Sequence, residues 1–127
     1  MSERLLDTNV VSFLFKGDSR GLALKERVTD LDPCISFVTL AELYRWPILH
    51  KWGQSRTAEL EKEISKYRII ESSIAVCRRW AEIASIKGRP MDYHDAWIAA
   101  TAIIHGILLV THNRKDFAHI PGLALIA

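Results

Sequence analysis

The chain has 127 residues, 49% of them hydrophobic and 25% charged, the proportions of an ordinary globular domain. Its 17 Lys and Arg stand against 15 Asp and Glu, and the net charge of +2 excludes a histone-like polycation. The apolar content excludes a disordered chain, because enough surface can be buried to offset the entropy of ordering. One domain over residues 1–127 is expected, burying roughly 68% of the surface that the unfolded chain exposes.

Arg4-Leu5-Leu6 reads as a short apolar strand that runs into Asp7-Thr8-Asn9, a turn or cap cluster. Val10 to Phe15 predicts a short helix stopped near Gly17, and Leu22 to Val28 a second one, broken at Asp32-Pro33. Cys34 to Val38 is short, β-branched or aromatic and bounded by turn residues, the pattern of a buried strand. Thr39 is expected to cap a helix through Glu42 and Tyr44 that kinks or ends near Pro47. Gln54 to Tyr67 predicts a solvated helix with one stripe of Leu60, Ile64 and Tyr67, and Arg68 to Ile70 a brief strand. Ser73 is expected to cap a helix with Val76, Cys77, Trp80, Ile83 and Ala84 inward, closed by Lys87-Gly88. Asp92 starts a helix whose body, Ala96 to Ile104, is apolar on nearly every face. Ile107 to Val110 and Leu123 to Ile126 complete the set as buried strands.

Residues 96–113 carry no formal charge and approach membrane-span length. Thr101, His105, Gly106, Thr111 and His112 interrupt them, so the stretch reads as the centre of a soluble core. The N-terminal residues lack the apolar run of a signal peptide. Cys34 and Cys77 form no CxxC pair and the five His complete no zinc spacing, so two buried thiols in a reducing cytoplasm are expected.

Apolar strands separated by helices point to an α/β domain of three layers, a mostly parallel central sheet flanked by helices. Such sheets bind ligands outside the carboxyl ends of their strands. Four acids fall there: Asp7 after the first strand, Glu42 and Asp95 each one turn into a helix, and Asp116 just past Val110-Thr111. Three of them also fit helix caps. Thr39 with Glu42, Asp92 with Asp95 and Asn113 with Asp116 each have the three-residue spacing of a capping box, and an acid in a first helical turn is favoured by the helix dipole. Asp7 has no such partner. Four carboxylates at one sheet edge repel unless a cation neutralises them, and hard divalent cations take oxygen ligands. The chain carries no GxSxG, no Walker loop and no GxGxxG to supply another chemistry.

These stretches resemble the PIN-domain ribonucleases, and among them the VapC-type toxins of toxin–antitoxin pairs. Residues 5–11 resemble the family's opening motif, with its acid at Asp7, and residues 37–43 the second, with Glu42. Residues 95–102 are similar to the third, opening on Asp95, and residues 109–117 to the last, with Asp116 and a supporting Asn113. His112, between Thr111 and Asn113, and the extra acid Asp92 depart from the pattern. The resemblance implies a PIN-like fold with an acidic metal site at the C-terminal strand edge. It implies an endoribonuclease dependent on Mg2+ (or Mn2+), with Asp7, Glu42, Asp95 and Asp116 as catalytic metal ligands. Thr8, Asn9, Thr111 and Asn113 would support them by hydrogen bonding. It further implies an RNA substrate, a cognate antitoxin and a homodimer, whereas the cysteines and the interrupted apolar stretch are what point to a cytoplasmic location and no membrane.

Arg114 and Lys115, beside Asp116, are candidates for RNA contact, ahead of Arg78, Arg79, Lys87 and Arg89 and of Arg45 with Lys51. Trp80 and Trp97 read as core, whereas Trp46 and Trp52 read as exposed and able to stack on bases. Tyr44, Trp46, Ile48 and Leu49 are a candidate groove for a partner helix. His94 reads as a surface residue or, beside Asp95, as a proton shuttle. Other classes remain open: a PIN-like module that binds RNA or protein without cutting, and a metal-dependent DNA nuclease. A haloacid-dehalogenase-type phosphatase wants a second Asp where Asn9 stands. With the four acids set aside, 11 remain against 17 Lys and Arg, so a basic surface of +6 would surround an acidic pocket.

Overall fold

A computed structural model describes residues 3–28, 32–88 and 91–126. Arg89 lies outside the described residues. The strands are β1 (Glu3–Leu6), β2 (Asp32–Ser36), β3 (Arg68–Ile70), β4 (Leu108–Val110) and β5 (Leu125–Ile126). They form one sheet in the order β3-β2-β1-β4-β5, and every pairing is parallel. Helices α1 (Thr8–Lys16) and α2 (Ser19–Val28) connect β1 to β2, and α3 (Phe37–Leu49) and α4 (Gln54–Ile64) connect β2 to β3. Helices α5 (Ile74–Ala84) and α6 (Tyr93–His105) lead to β4, and a 3-10 turn, Arg114–Asp116, lies on the way to β5.

Side chains alternate across the sheet with the two-residue period of a strand. Leu5, Cys34, Ile70 and Leu109 face a core with α5 and α6, whose inner residues include Val76, Ile83, Ala96, Ile98 and Ala99. Leu6, Ile35 and Val110 face the other way, against Val10, Val11, Leu24, Leu43 and Leu60 of α1 to α4. Burial on both faces is why these strands read as continuous apolar runs. The result is the three-layer α/β arrangement expected from the sequence. No described helix is long and apolar enough to cross a membrane; the uncharged run at 96–113 is divided by Gly106, which ends α6 with φ +64°.

Helix α2 turns back onto α1 at Gly21, where a Cβ would fall on the Phe13 carbonyl. Only glycine permits that approach.

The structure revises several local expectations. Strand β2 includes Asp32 and Pro33 and ends at Ser36, so Phe37 and Val38 are helical. The cap of α3 is Ser36, whose Oγ accepts from the Thr39 amide at 3.2 Å, not Thr39. Pro47 sits inside α3 without ending it. Helix α4 stops at Ile64, leaving Tyr67 beyond it. Helix α5 is capped by Ser73 as expected but ends at Ala84, short of Lys87-Gly88. Cys34 is buried, whereas Cys77 is exposed.

Candidate functional site

The strand order reverses direction between β1 and β4, each of which pairs with the other and with a strand on its far side. At such a switch point connections leave in opposite directions and open a crevice at the carboxyl ends. Asp7 occupies it. Its amide donates to the Val110 carbonyl at 3.0 Å, fastening the end of β1 to β4. Its side chain is only 3% exposed and accepts from the Thr111 hydroxyl at 2.9 Å. Thr111 is fixed in turn: its amide donates to Ile126 and its hydroxyl accepts from the Asn113 amide at 3.0 Å. Asn113 therefore supports the site through its backbone, and its side chain makes no cap bond to the 3-10 turn.

Burial raises the pKa of Asp7 above the usual carboxylate value. The Thr111 hydroxyl, the amides of Thr8 and Asn9 and the charge of His94 draw it part of the way back. Asp95, half-buried in the first turn of α6, is pushed up to about 7, by burial first and then by the negative charges of Asp7, Asp92 and Asp116. Two of the four expected acids thus meet beside a third, Asp92, which caps α6 by accepting from the His94 amide at 2.7 Å.

Glu42 and Asp116 stand differently. Glu42 is the sixth residue of α3, too far along to cap it, because the helix starts three residues earlier than the sequence suggested. It lines the same cleft as Asp7 and Asp95, and its carboxylate pairs with Arg45 at 3.1 Å. Asp116 is exposed on the 3-10 turn and reaches Asp95 through its charge, without lining the cleft. Arg114 and Lys115 are exposed on the same turn.

A second hydrogen-bonded chain braces the cleft beside Asp7. The Thr8 hydroxyl lies 2.9 Å from the Thr39 hydroxyl and 2.9 Å from His94 Nε2. Thr39 is fully buried and bonded to Ser36 as well. His94 is therefore a half-buried wall residue rather than a surface one. Nothing in the sequence marks that link across 86 positions. Asn9 is exposed at the cleft mouth.

The cleft measures about 520 Å³, and its far end is aromatic, with Phe15, Trp46, His50 and Trp52. Trp46 and Trp52 are half-buried against the core, not the exposed rings the sequence suggested. Tyr44, Ile48 and Leu49 are exposed along α3.

The donor chemistry suits a hard divalent cation: the repulsion that Asp7, Asp92 and Asp116 exert on a charged Asp95 is relieved by positive charge. Among the described residues no three His, Cys, Asp or Glu side chains converge as a ready ligand set. Mg2+ commonly takes one or two protein carboxylates and keeps several waters, and the Asp7–Asp95 pair matches that requirement.

The PIN domain family model matches residues 4–123. Ribonuclease VapC1 of Haemophilus influenzae is 30% identical over 94% of this chain and 92% of its own length. The tRNA(fMet)-specific endonuclease VapC of Shigella flexneri is 27% identical over 97% and 96%. Among solved structures, VapBC2 of Rickettsia felis, bound to a promoter DNA fragment, superposes with a TM-score of 0.84 at 28% identity, over 98% of this chain and 97% of its counterpart. A buried carboxylate at the switch point of a parallel five-stranded sheet and a match along nearly the whole chain agree: the chain belongs to the PIN domain family, among the VapC ribonucleases.

Proposed function

We propose that this protein, a single domain over residues 1–127, is an endoribonuclease that hydrolyses RNA phosphodiester bonds with Mg2+ or Mn2+. In this reading it is the toxin of a toxin–antitoxin pair. It acts in the cytoplasm as a homodimer and is held in check by a cognate antitoxin. The observation that carries the reading is the buried Asp7 at the switch-point crevice, lining one cleft with Asp95 and raising its pKa. The kinship with VapC ribonucleases supports the activity, and the likeness to a VapBC chain supports the antitoxin.

Asp7 and Asp95 would hold the cation, with Glu42 on the cleft wall and Asp116 at the exposed edge as further carboxylates. When bound, it supplies an activated water and offsets charge on the phosphate oxygens. The protein's own part is to fix the acids before substrate arrives. Thr111 aims one Asp7 oxygen and stabilises its charged form, and the N-terminal amides of α1 add to that effect. Thr8 and Thr39 hold the His94 ring against the cleft wall. Asn9, at the mouth, is placed to meet a phosphate. Arg114 and Lys115 provide positive charge for the RNA backbone next to the acidic centre.

The test is cleavage of end-labelled RNA and DNA with Mg2+, Mn2+ or EDTA, using wild type and Asp95→Asn. Metal-dependent cutting of RNA alone, lost in the variant, is expected. Full activity in Asp95→Asn or in EDTA would overturn the reading, and cutting of DNA alone would replace RNA as the substrate.

A further inference from the structure

The aromatic end of the cleft is not used by the chemistry just described. Trp52 lies nearly parallel to two other rings, Phe15 at 5.9 Å and 26° and His50 at 6.2 Å and 22°. The Arg56 guanidinium lies over Trp52 at 4.4 Å and over Phe15 at 5.7 Å. The rings come from three places: Phe15 from the last turn of α1, His50 from the C-cap of α3 and Trp52 from the segment before α4. Packing explains Phe15 and Trp52, which are half-buried against the core that includes Leu6, Val10 and Leu43. It does not explain His50. That ring is exposed, is outside the core and still lies parallel to Trp52 within the cleft that holds Asp7, Glu42 and Asp95.

We propose that His50, backed by Trp52 and Phe15, is a stacking platform for one unpaired nucleobase of the RNA. The inference rests on the endoribonuclease reading above and adds the residue that holds a base in the cleft. Three observations carry it. The ring stack and the acids share one cleft of about 520 Å³, within the roughly 300–1,000 Å³ that accommodates a drug-sized ligand. The two ends have the chemistry of the two halves of a nucleotide, carboxylates for a metal-bridged phosphate and near-parallel rings for a base. The aromatic end is also positively charged, with Lys16 lining the cleft and Arg56 over the rings, which suits a ligand attached to a polyanion. Every base has a π face, so stacking reads exposure rather than sequence. A base held in a duplex presents only its edges.

The test uses an unstructured ten-nucleotide RNA and the same RNA annealed to its complement, both bound to Asp95→Asn protein so that no strand is cut. His50→Ala, on an exposed ring, is expected to weaken single-strand binding about tenfold, the effect of one lost stack. His50→Phe restores it, the single strand quenches tryptophan emission, and the duplex binds more weakly than the single strand. Unchanged binding in His50→Ala, failure of His50→Phe to restore it, or equal binding of duplex and single strand would overturn the platform. Quenching by a partner peptide but not by RNA would overturn it as well, assigning the rings to a protein. The two readings fail separately: a protein that binds as described but cuts no RNA refutes the activity alone. One that cuts RNA with no dependence on His50 refutes the platform alone.

Discussion

The Thr111 hydroxyl donates to Asp7 Oδ2 at 2.9 Å, joining the ends of two neighbouring strands across 104 positions of sequence. Asp7 is buried at that point, and of the groups that stabilise its charged form this donor contributes most.

Replacing Thr111 with Val keeps the shape and removes the donor, and it also strips the Asn113 amide of its acceptor. Leaving buried polar groups unpaired costs about 1–3 kcal/mol each. Urea unfolding should show a loss in that range. The Asp7 pKa should rise further, so the acid limb of the pH–rate profile should move to higher pH. An unmoved limb would show that Thr111 does not tune Asp7.

Burial, and then the charges of Asp7, Asp92 and Asp116, push Asp95 up to about 7 in the folded protein, from 3.8 for a free side chain. Between those values the folded chain binds more protons than the unfolded one, so metal-free stability should fall as pH rises from 3.8 to about 7 and level off above. Asp95→Asn removes that term. At pH 8 without divalent ions it should melt a few degrees above wild type, on the order of 1 kcal/mol once solvent screening of this half-buried group is allowed for. Mg2+ should raise the wild-type Tm and leave the variant nearly unmoved. A variant that melts lower than wild type in EDTA would contradict the charge repulsion described at the site.

Arg45 pairs with the carboxylate of Glu42, a proposed metal ligand. The pair is exposed, so Arg45→Ala should cost less than about 1 kcal/mol of stability. It should also tighten divalent-ion binding severalfold, measured by calorimetry, because Glu42 no longer needs to leave a partner. Unchanged affinity would remove Glu42 from the ligand set.

Gly21→Ala would stabilise an ordinary helix by up to about 1 kcal/mol. Here the added methyl meets the Phe13 carbonyl, so the substitution should instead destabilise by about 1–3 kcal/mol, read from thermal or urea unfolding. Equal or greater stability would mean that α1 and α2 separate without cost.

Much of the architecture was legible in local pattern. Leu5-Leu6, Ile69-Ile70 and Leu109-Val110 read as strands because both faces of a parallel sheet are covered, which leaves no polar alternation. Asp92 and Gly106 announced the two ends of α6 through side-chain capping and a left-handed C-cap. Boundaries failed where two residues offered the same cap chemistry. Ser36 and Thr39 both carry a hydroxyl, and in the fold it is Ser36 that accepts the capping bond, from the Thr39 amide. That choice removed the capping account of Glu42 and turned Thr39 inward onto Thr8.

Local pattern is enough to put the acids after strands, because strand and helix signals are local and so is the position of Asp7, Glu42, Asp95 and Asp116 relative to them. Which acids meet depends on contacts between distant segments. Asp7 and Asp95 converge because β1 and β4 are neighbours and α6 leads into β4, whereas Glu42 turns to Arg45 and Asp116 stays exposed. Charge, burial and hydrogen bonding depend on distances between segments 86 and 104 residues apart, and no local pattern encodes those distances.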